Sequence, residues 1–209
     1  MQRYRIALIE GDGIGPEVVA AARRVLAAAT ARLGIELEYL PTPGGDAALA
    51  RTGEAVPPET RRAFEATDAC FKGPVGDTVM EVNRAFRFGY DLYANVRPAR
   101  SYPNTSPPAL RPDIDLIVIR ENTEGFYRGL ESELAPEVWT SLGLFTAAGW
   151  RRIARFAFTY ARRRAESRER PGQVAVAHKA NIFRGSHGLY VRVAREIAAE
   201  YPDVRLSDY

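Results

Sequence analysis

Residues 4–9, Tyr-Arg-Ile-Ala-Leu-Ile, form a short apolar run that meets Gly11-Asp12-Gly13-Ile14-Gly15-Pro16 and then a long segment ending at Gly34. A buried strand, a tight turn and a helix fit this order. Glycine supplies the turn, proline is tolerated in the first helical turn, and glycine stops the helix. A second strand, Ile-Glu-Leu-Glu-Tyr-Leu from residue 35, and a third, Ala-Cys-Phe-Lys-Gly-Pro-Val from residue 69, flank a short helix in Pro-Pro-Glu-Thr-Arg-Arg-Ala-Phe-Glu-Ala-Thr-Asp. This βαβαβ alternation predicts an α/β sheet with helices on its faces.

The glycine spacing is G-x-G-x-G, not the G-x-G-x-x-G of a dinucleotide fingerprint. Glu36 and Glu38 stand where a ribose-binding acid would, but Pro16 removes an N–H from the first helical turn. A structural turn is the favoured reading over a phosphate cradle.

Further along, residues 78–90 are helical in pattern, and Asp-Leu-Tyr-Ala-Asn-Val is extended and expected to end at Arg97-Pro98. Residues 101–113 are proline-rich and irregular. Asp-Leu-Ile-Val-Ile-Arg is an apolar strand ending at Arg120, and residues 131–146 are weakly patterned and expected to extend from the body. Ala-Ala-Gly-Trp through Ala-Glu, residues 147–166, is a long amphipathic helix. A strand in Gly-Gln-Val-Ala-Val-Ala-His-Lys and a helix over 186–200 follow.

No run of about 18 apolar residues exists, so no membrane span is expected. The first residues hold no signal-peptide core. Cys70 is the single cysteine, which fits a reducing compartment and a cytoplasmic location. The net charge of +3 and pI near 9.1 raise the question of nucleic acid. The densest basic stretch, Arg151 to Arg170, interleaves with Ile153, Phe156, Phe158 and Tyr160, and reads as the wet face of a helix. No nucleic-acid or membrane partner is expected. Lys72 and Lys179 are the only lysines among 29 basic side chains. A lysine can be tuned to exchange a proton, whereas arginine stays charged, so both stand out.

Several arginines end elements. Asn83, Arg84 and Arg87 share a helix, with Asn83 and Arg87 at i,i+4. Arg97 follows one strand and Arg120 ends another. Ligands of α/β sheets gather at the carboxyl ends of strands, and guanidinium forks match carboxylates in bidentate fashion. A converging set would hold a di- or tricarboxylate. The competing reading pairs each arginine with a structural Asp or Glu.

The segments EGDGIGPEV, DLYANVRP, VIRENTEGFY and AHKAN, in that order, resemble the β-decarboxylating dehydrogenases of the isocitrate/isopropylmalate family over essentially the whole chain. The resemblance implies an isopropylmalate dehydrogenase-like, non-Rossmann two-domain α/β fold with its C-terminal portion absent. Residues 1–97 would belong to the cofactor domain, and 98–209 would form a small α/β domain with a dimerisation arm at about 128–146. It implies oxidative decarboxylation of a 2-hydroxy acid with NAD or NADP and Mg²⁺ or Mn²⁺. Arg87, Arg97 and Arg120 fall at the family's substrate-carboxylate arginines, with Asn83 and Arg84 beside them. Tyr127 falls at the tyrosine that protonates the enol, and Lys179 at the lysine that helps take the hydroxyl proton. Asn181 falls near the nicotinamide, and Gly73, Pro74, Val75 and Gly76 where the cofactor passes. In that fold the lysine serves the neighbouring subunit's site, which implies a homodimer. The residue types suit the chemistry: a lysine can act as base, a positioned tyrosine as acid, and a cation as Lewis acid.

Three departures matter. The family's metal aspartates would lie beyond Tyr209, so no metal ligand is assigned, and the 209-residue chain alone is expected to lack turnover. Glu81 stands where isocitrate enzymes carry a serine, and it would repel an extra carboxylate. Arg84 stands where isopropylmalate enzymes carry an apolar residue. A buried unpaired guanidinium there would be costly, which favours a homoisocitrate-like or malate/tartrate-like acid, whereas a Glu81–Arg84 pair would cancel both charges and leave the acid open. The alternative to an enzyme is a non-catalytic remnant or accessory subunit of such a dehydrogenase.

Overall fold

Strand β1 (Gln2–Ile9) buries its last three residues, Ala7, Leu8 and Ile9, each 1% exposed in a computed structural model that describes residues 2–104 and 111–209. Such a doubly covered strand must lie inside a sheet. It pairs in parallel with β2 (Ile35–Pro41) on one side and β3 (Ala69–Lys72) on the other, giving the order β2-β1-β3. The crossover from β1 to β2 is α1 (Gly15–Leu33). Pro16 lies in its first turn, and its C-cap Gly34 has φ 66°, a left-handed conformation that costs glycine little.

The chain divides into two compact units, residues 1–90 and 91–209. In the first, α2 (Asp46–Thr52), α3 (Pro58–Glu65) and α4 (Val79–Gly89) complete the architecture. Its core joins Ile9, Val56, Val82 and Phe86, with Phe64 packed between the rings of Phe86 and Tyr90 at 5.0 and 4.2 Å.

The second unit opens with β4 (Ala94–Arg100), antiparallel to β5 (Asp115–Glu121). The strand expected to end at Arg97-Pro98 runs through both. Among the described residues β4 pairs only with β5, so a residue lacking an N–H can sit in it. The proline-rich 101–113 segment lies partly outside the described residues. Strands β6 (Gly125–Ala135) and β7 (Val138–Leu144) form an exposed antiparallel hairpin over the stretch expected to project. Helix α5 (Ala147–Glu166) then packs against α6 (Ser186–Ala198) and the parallel pair β8 (Gly172–Val176) and β9 (Val204–Asp208).

Helix α5 begins where Thr146 accepts the Gly149 N–H at 2.9 Å, a side-chain cap for an otherwise orphan donor. Its buried positions, Ile153, Ala154 and Phe158 with Trp150, follow the helical period, and Trp150, Ala154 and Phe158 pack with Val193, Ile197 and Tyr201. Phe158 is fully buried, a burial that contributes about 2–3 kcal/mol. No helix among the described residues is long and apolar enough to cross a membrane.

Candidate functional site

In the first unit the glycine segment is a turn welded to a second turn. The Asp12 N–H donates to the Pro74 carbonyl at 2.9 Å, and Gly73 N–H donates to the Ile9 carbonyl at 2.8 Å. A Cβ on Gly11, whose φ is +82°, would stand 1.8 Å from the Pro74 oxygen, so only glycine fits. The Asp12 carboxylate accepts from the N–H groups of Asp46, Ala47 and Gly76. The Asp46 carboxylate in turn accepts from the Asp77 and Thr78 N–H groups and the Thr78 hydroxyl, at the start of α4. These bonds, the Thr78 hydroxyl first, hold the Asp46 carboxyl below its ordinary pKa. Two carboxylates therefore link the glycine turn, α2, the Gly73–Gly76 turn and α4.

That wiring bears on the cofactor residues. The amides of Gly73 and Gly76 are taken up internally, and Pro74 has none. The turn can meet a ligand through the exposed Pro74 and through Val75, not through a nest of free amides. On α4, Asn83 and Arg87 are half-buried and Arg84 is exposed.

Lys72, at the end of β3, is half-buried and donates to the Gly73 carbonyl at 2.9 Å. Burial lowers its pKa, opposed by Cys70 and reinforced by Arg87. Burial also raises the Cys70 thiol to about 11, which leaves it protonated and unreactive at neutral pH. The scarcity of lysine marked Lys72, but nothing in the sequence gave its setting. A hollow of about 400 Å³ opens at the carboxyl ends of β1 and β2, lined by Glu10, Gly11, Thr42, Gly44 and Arg51. Of these, Glu10 and Gly11 lie in a motif that the sequence singled out.

In the second unit Arg97, Arg120 and Tyr127 come together. Asn95 stands opposite Arg120 across the β4–β5 ladder, and Arg97 lies two residues on, so all three side chains share one face. Arg97 Nε donates to Asn95 Oδ1 at 3.1 Å, and the Arg120 guanidinium lies over the Tyr127 ring, 4.8 Å from its centre. Neither of these arginines has a carboxylate partner among the described residues. Such a face offers two forks to an anion.

The loop holding Arg120 and Tyr127 is built on acids that sequence reasoning did not place. The Glu121 carboxylate accepts from the Thr123 N–H at 2.8 Å, the Thr123 hydroxyl at 2.8 Å and the Glu124 N–H at 2.6 Å. Glu124 accepts from the N–H and hydroxyl of Thr146, which itself caps α5. Arg152 of α5 closes the network, reaching both Asp91 oxygens at 2.9 and 2.8 Å and Glu121 at 3.3 Å. It also lies over the Tyr93 ring at 4.5 Å. The signal available was the repeated acid–threonine pattern in Glu121-Asn122-Thr123-Glu124, but its partner is 31 residues on.

Lys179 and Asn181 are exposed in the loop after β8. Among the described residues no three His, Cys, Asp or Glu side chains cluster as a metal site would. The acids of the two turns, Asp12, Asp46, Glu121 and Glu124, accept hydrogen bonds from backbone N–H groups, so they do not fit a resident divalent cation.

A family model for isocitrate/isopropylmalate dehydrogenase matches residues 5–209. The 3-isopropylmalate/3-methylmalate dehydrogenase of Methanocaldococcus jannaschii is 39% identical over 99% of this chain, which spans 60% of that protein. The NADP isocitrate dehydrogenase of Thermus thermophilus is 40% identical over 97% of this chain and 40% of its own length. A crystal structure of isocitrate dehydrogenase from Methylococcus capsulatus superposes with a TM-score of 0.85 at 38% identity, over 99% of this chain and 60% of that one.

Proposed function

This chain belongs to the isocitrate/isopropylmalate dehydrogenase family, and we propose that the protein oxidatively decarboxylates a 2-hydroxy di- or tricarboxylic acid with NAD or NADP. The observation that carries the reading is the shared face of Arg97 and Arg120, the latter over the Tyr127 ring; among the described residues neither arginine has a carboxylate partner. Arg87, Arg97 and Arg120 are the proposed carboxylate ligands, with Asn83 and Arg84 next to Arg87. Lys179 is proposed to take the hydroxyl proton, and Tyr127 to return a proton to the enol carbon. Pro74, Val75 and Asn181 are proposed to face the cofactor, which accepts hydride when bound. The family resemblance implies Mg²⁺ or Mn²⁺ as well. The residues described do not fit such an ion, and no step is assigned to it.

The acid is proposed at the level of the class, since relatives named for 3-isopropylmalate and for isocitrate match this chain alike. A homodimer is proposed from the β6–β7 hairpin, which exposes Leu130, Leu134, Val138, Trp139 and Leu142 in one short segment. A cytoplasmic location is proposed from the lone free Cys70. The deciding experiment follows NAD(P)H formation by the full-length protein with 3-isopropylmalate, isocitrate, homoisocitrate, D-malate and tartrate, with Mg²⁺ or Mn²⁺ supplied. Turnover of one acid supports the reading. Failure of all five, with the protein folded, sinks it.

A further inference from the structure

Both histidines of this chain, His178 and His187, stand beside Lys179. Lys179 lies beyond Val176, the last paired residue of β8, so the sheet gives its amide no partner. A side chain does instead. The Lys179 N–H donates to His187 Nδ1 at 2.9 Å, and the Ala180 N–H donates to His178 Nδ1 at 3.0 Å. A ring nitrogen accepts only when it carries no proton, so both neutral rings hold their proton on Nε2.

The rest of the loop is equally committed. The Lys179 carbonyl accepts from the N–H groups of Ile182 at 3.1 Å and Phe183 at 2.8 Å. The His178 N–H donates to the Tyr209 carbonyl at 3.0 Å, just past β9. His187, in the first turn of α6, is packed against Phe145 and Phe183, with ring centres at 5.8 and 5.2 Å. Thus the peptide groups on both sides of Lys179 are fixed. Its ammonium makes no hydrogen bond or ion pair among the described residues, and its side chain is exposed.

We propose that His187 is a positioning residue for Lys179: its Nδ1 holds the Lys179 amide and so fixes the direction in which that side chain leaves the loop, with His178 holding the next amide. The proposal rests on the reading of Lys179 as the proton-transfer residue. An acceptor from α6, rather than from a strand, makes the aim of the lysine depend on where that helix begins. A misplacement of about 1 Å at a reacting group costs on the order of 100-fold in rate, so a single amide bond at this point is consequential.

The test uses the full-length protein and two substitutions that separate hydrogen bonding from packing. His187→Phe keeps a ring against Phe145 and Phe183 but cannot accept. His187→Asn gives up the ring and offers an amide oxygen near the place of Nδ1. Initial rates are measured with whichever of the five acids named above supports turnover. His187→Phe is expected to lower kcat by about 10- to 100-fold with KM for the acid unchanged, and His187→Asn to recover most of that loss. Hydrogen exchange at the Lys179 amide is read in parallel, faster in His187→Phe and near wild type in His187→Asn. The reverse order, with Phe tolerated and Asn impaired in both readouts, overturns the proposal in favour of packing. Lys179→Met separates the two layers. If it retains turnover, the reading of Lys179 is overturned and the catalytic half of the proposal with it, while amide exchange still decides whether His187 holds the loop.

Discussion

Arginines crowd two regions of the second unit, and they keep unlike company. Along α5 and the turn after it, Arg151 pairs with Glu196, Arg155 with Glu200, Arg162 with Asp203, and both Arg164 and Arg168 with Asp115. On β4 and β5, among the described residues, Arg97 meets an asparagine oxygen and Arg120 an aromatic face. The same side chain is therefore a brace in one place and an open fork in the other. The difference lies in the neighbours. Helix α5 lies beside elements that carry acids, whereas the β4–β5 face presents neutral partners to its arginines. The basic balance of the sequence concealed this split. The stretch expected to be a wet face is exposed, and its arginines are paired there with acids.

Arg152 sets the extreme of the bracing class. It is the one α5 arginine that meets a nearly buried carboxylate, Glu121, whose side chain is 9% exposed. Arg152→Met is expected to destabilise the protein by about 3 kcal/mol in urea unfolding, because it strands that charge. A loss under 1 kcal/mol would place Arg152 with its surface neighbours. Arg97→Ala should do the opposite, leaving the unfolding midpoint nearly unchanged while weakening binding of the acid by about 1.5–3 kcal/mol in calorimetric titration. Equal affinity would erase the distinction between the two sets.

The exposed pairs of α5 come next. Arg155→Ala and Arg162→Ala should each cost less than about 1 kcal/mol, and the cost should shrink in high salt. The smallest effect is a dependence on acidity. A hydrogen bond from Arg168, reinforced by the charge of Arg164, holds the Asp115 carboxyl below its ordinary value. The folded-state pKa is the lower one. The stabilisation is therefore complete above the unfolded-state value of about 3.9 and drains away as pH falls through the folded value. The stability gap between wild type and Asp115→Asn should stay constant from about pH 5 to 8 and close in stronger acid. Arg97→Ala, with no carboxylate partner, should follow the wild-type pH profile.

What the sequence made legible follows from how far each signal reaches. Helix α5 was readable to the residue, because its apolar stripe lies within one segment. The parallel order around β1 followed from the alternation of strands and helices. Helix α2 escaped notice: seven residues after two glycines are too few to show a period. The β6–β7 hairpin read weakly because almost all its residues are exposed on both faces, so burial imposes no alternation. At the candidate site, the common face of Arg97 and Arg120 follows from the strand register, whereas the place of Tyr127 beneath Arg120 depends on a turn that carries no period. The Glu121–Arg152–Asp91 network could not be read, since it joins residues far apart whose charges look like ordinary surface composition. The role of Lys179 rests on resemblance, and the histidines that hold its loop carried no signal until the loop had a shape.

The two tryptophans occupy opposite settings. Trp150 is sandwiched between Phe145 and Tyr190 at 5.6 and 4.1 Å, while Trp139 on the hairpin is 63% exposed. The molecule thus carries its own optical gauge. Emission from Trp150 reports the integrity of the second unit's core, and emission from Trp139 reports whatever covers the hairpin. On dilution, a red shift confined to the quenchable component would trace the hairpin losing a covering partner while the fold stays intact. Replacing Trp139 with Phe would leave Trp150 as a single-colour record of unfolding alone.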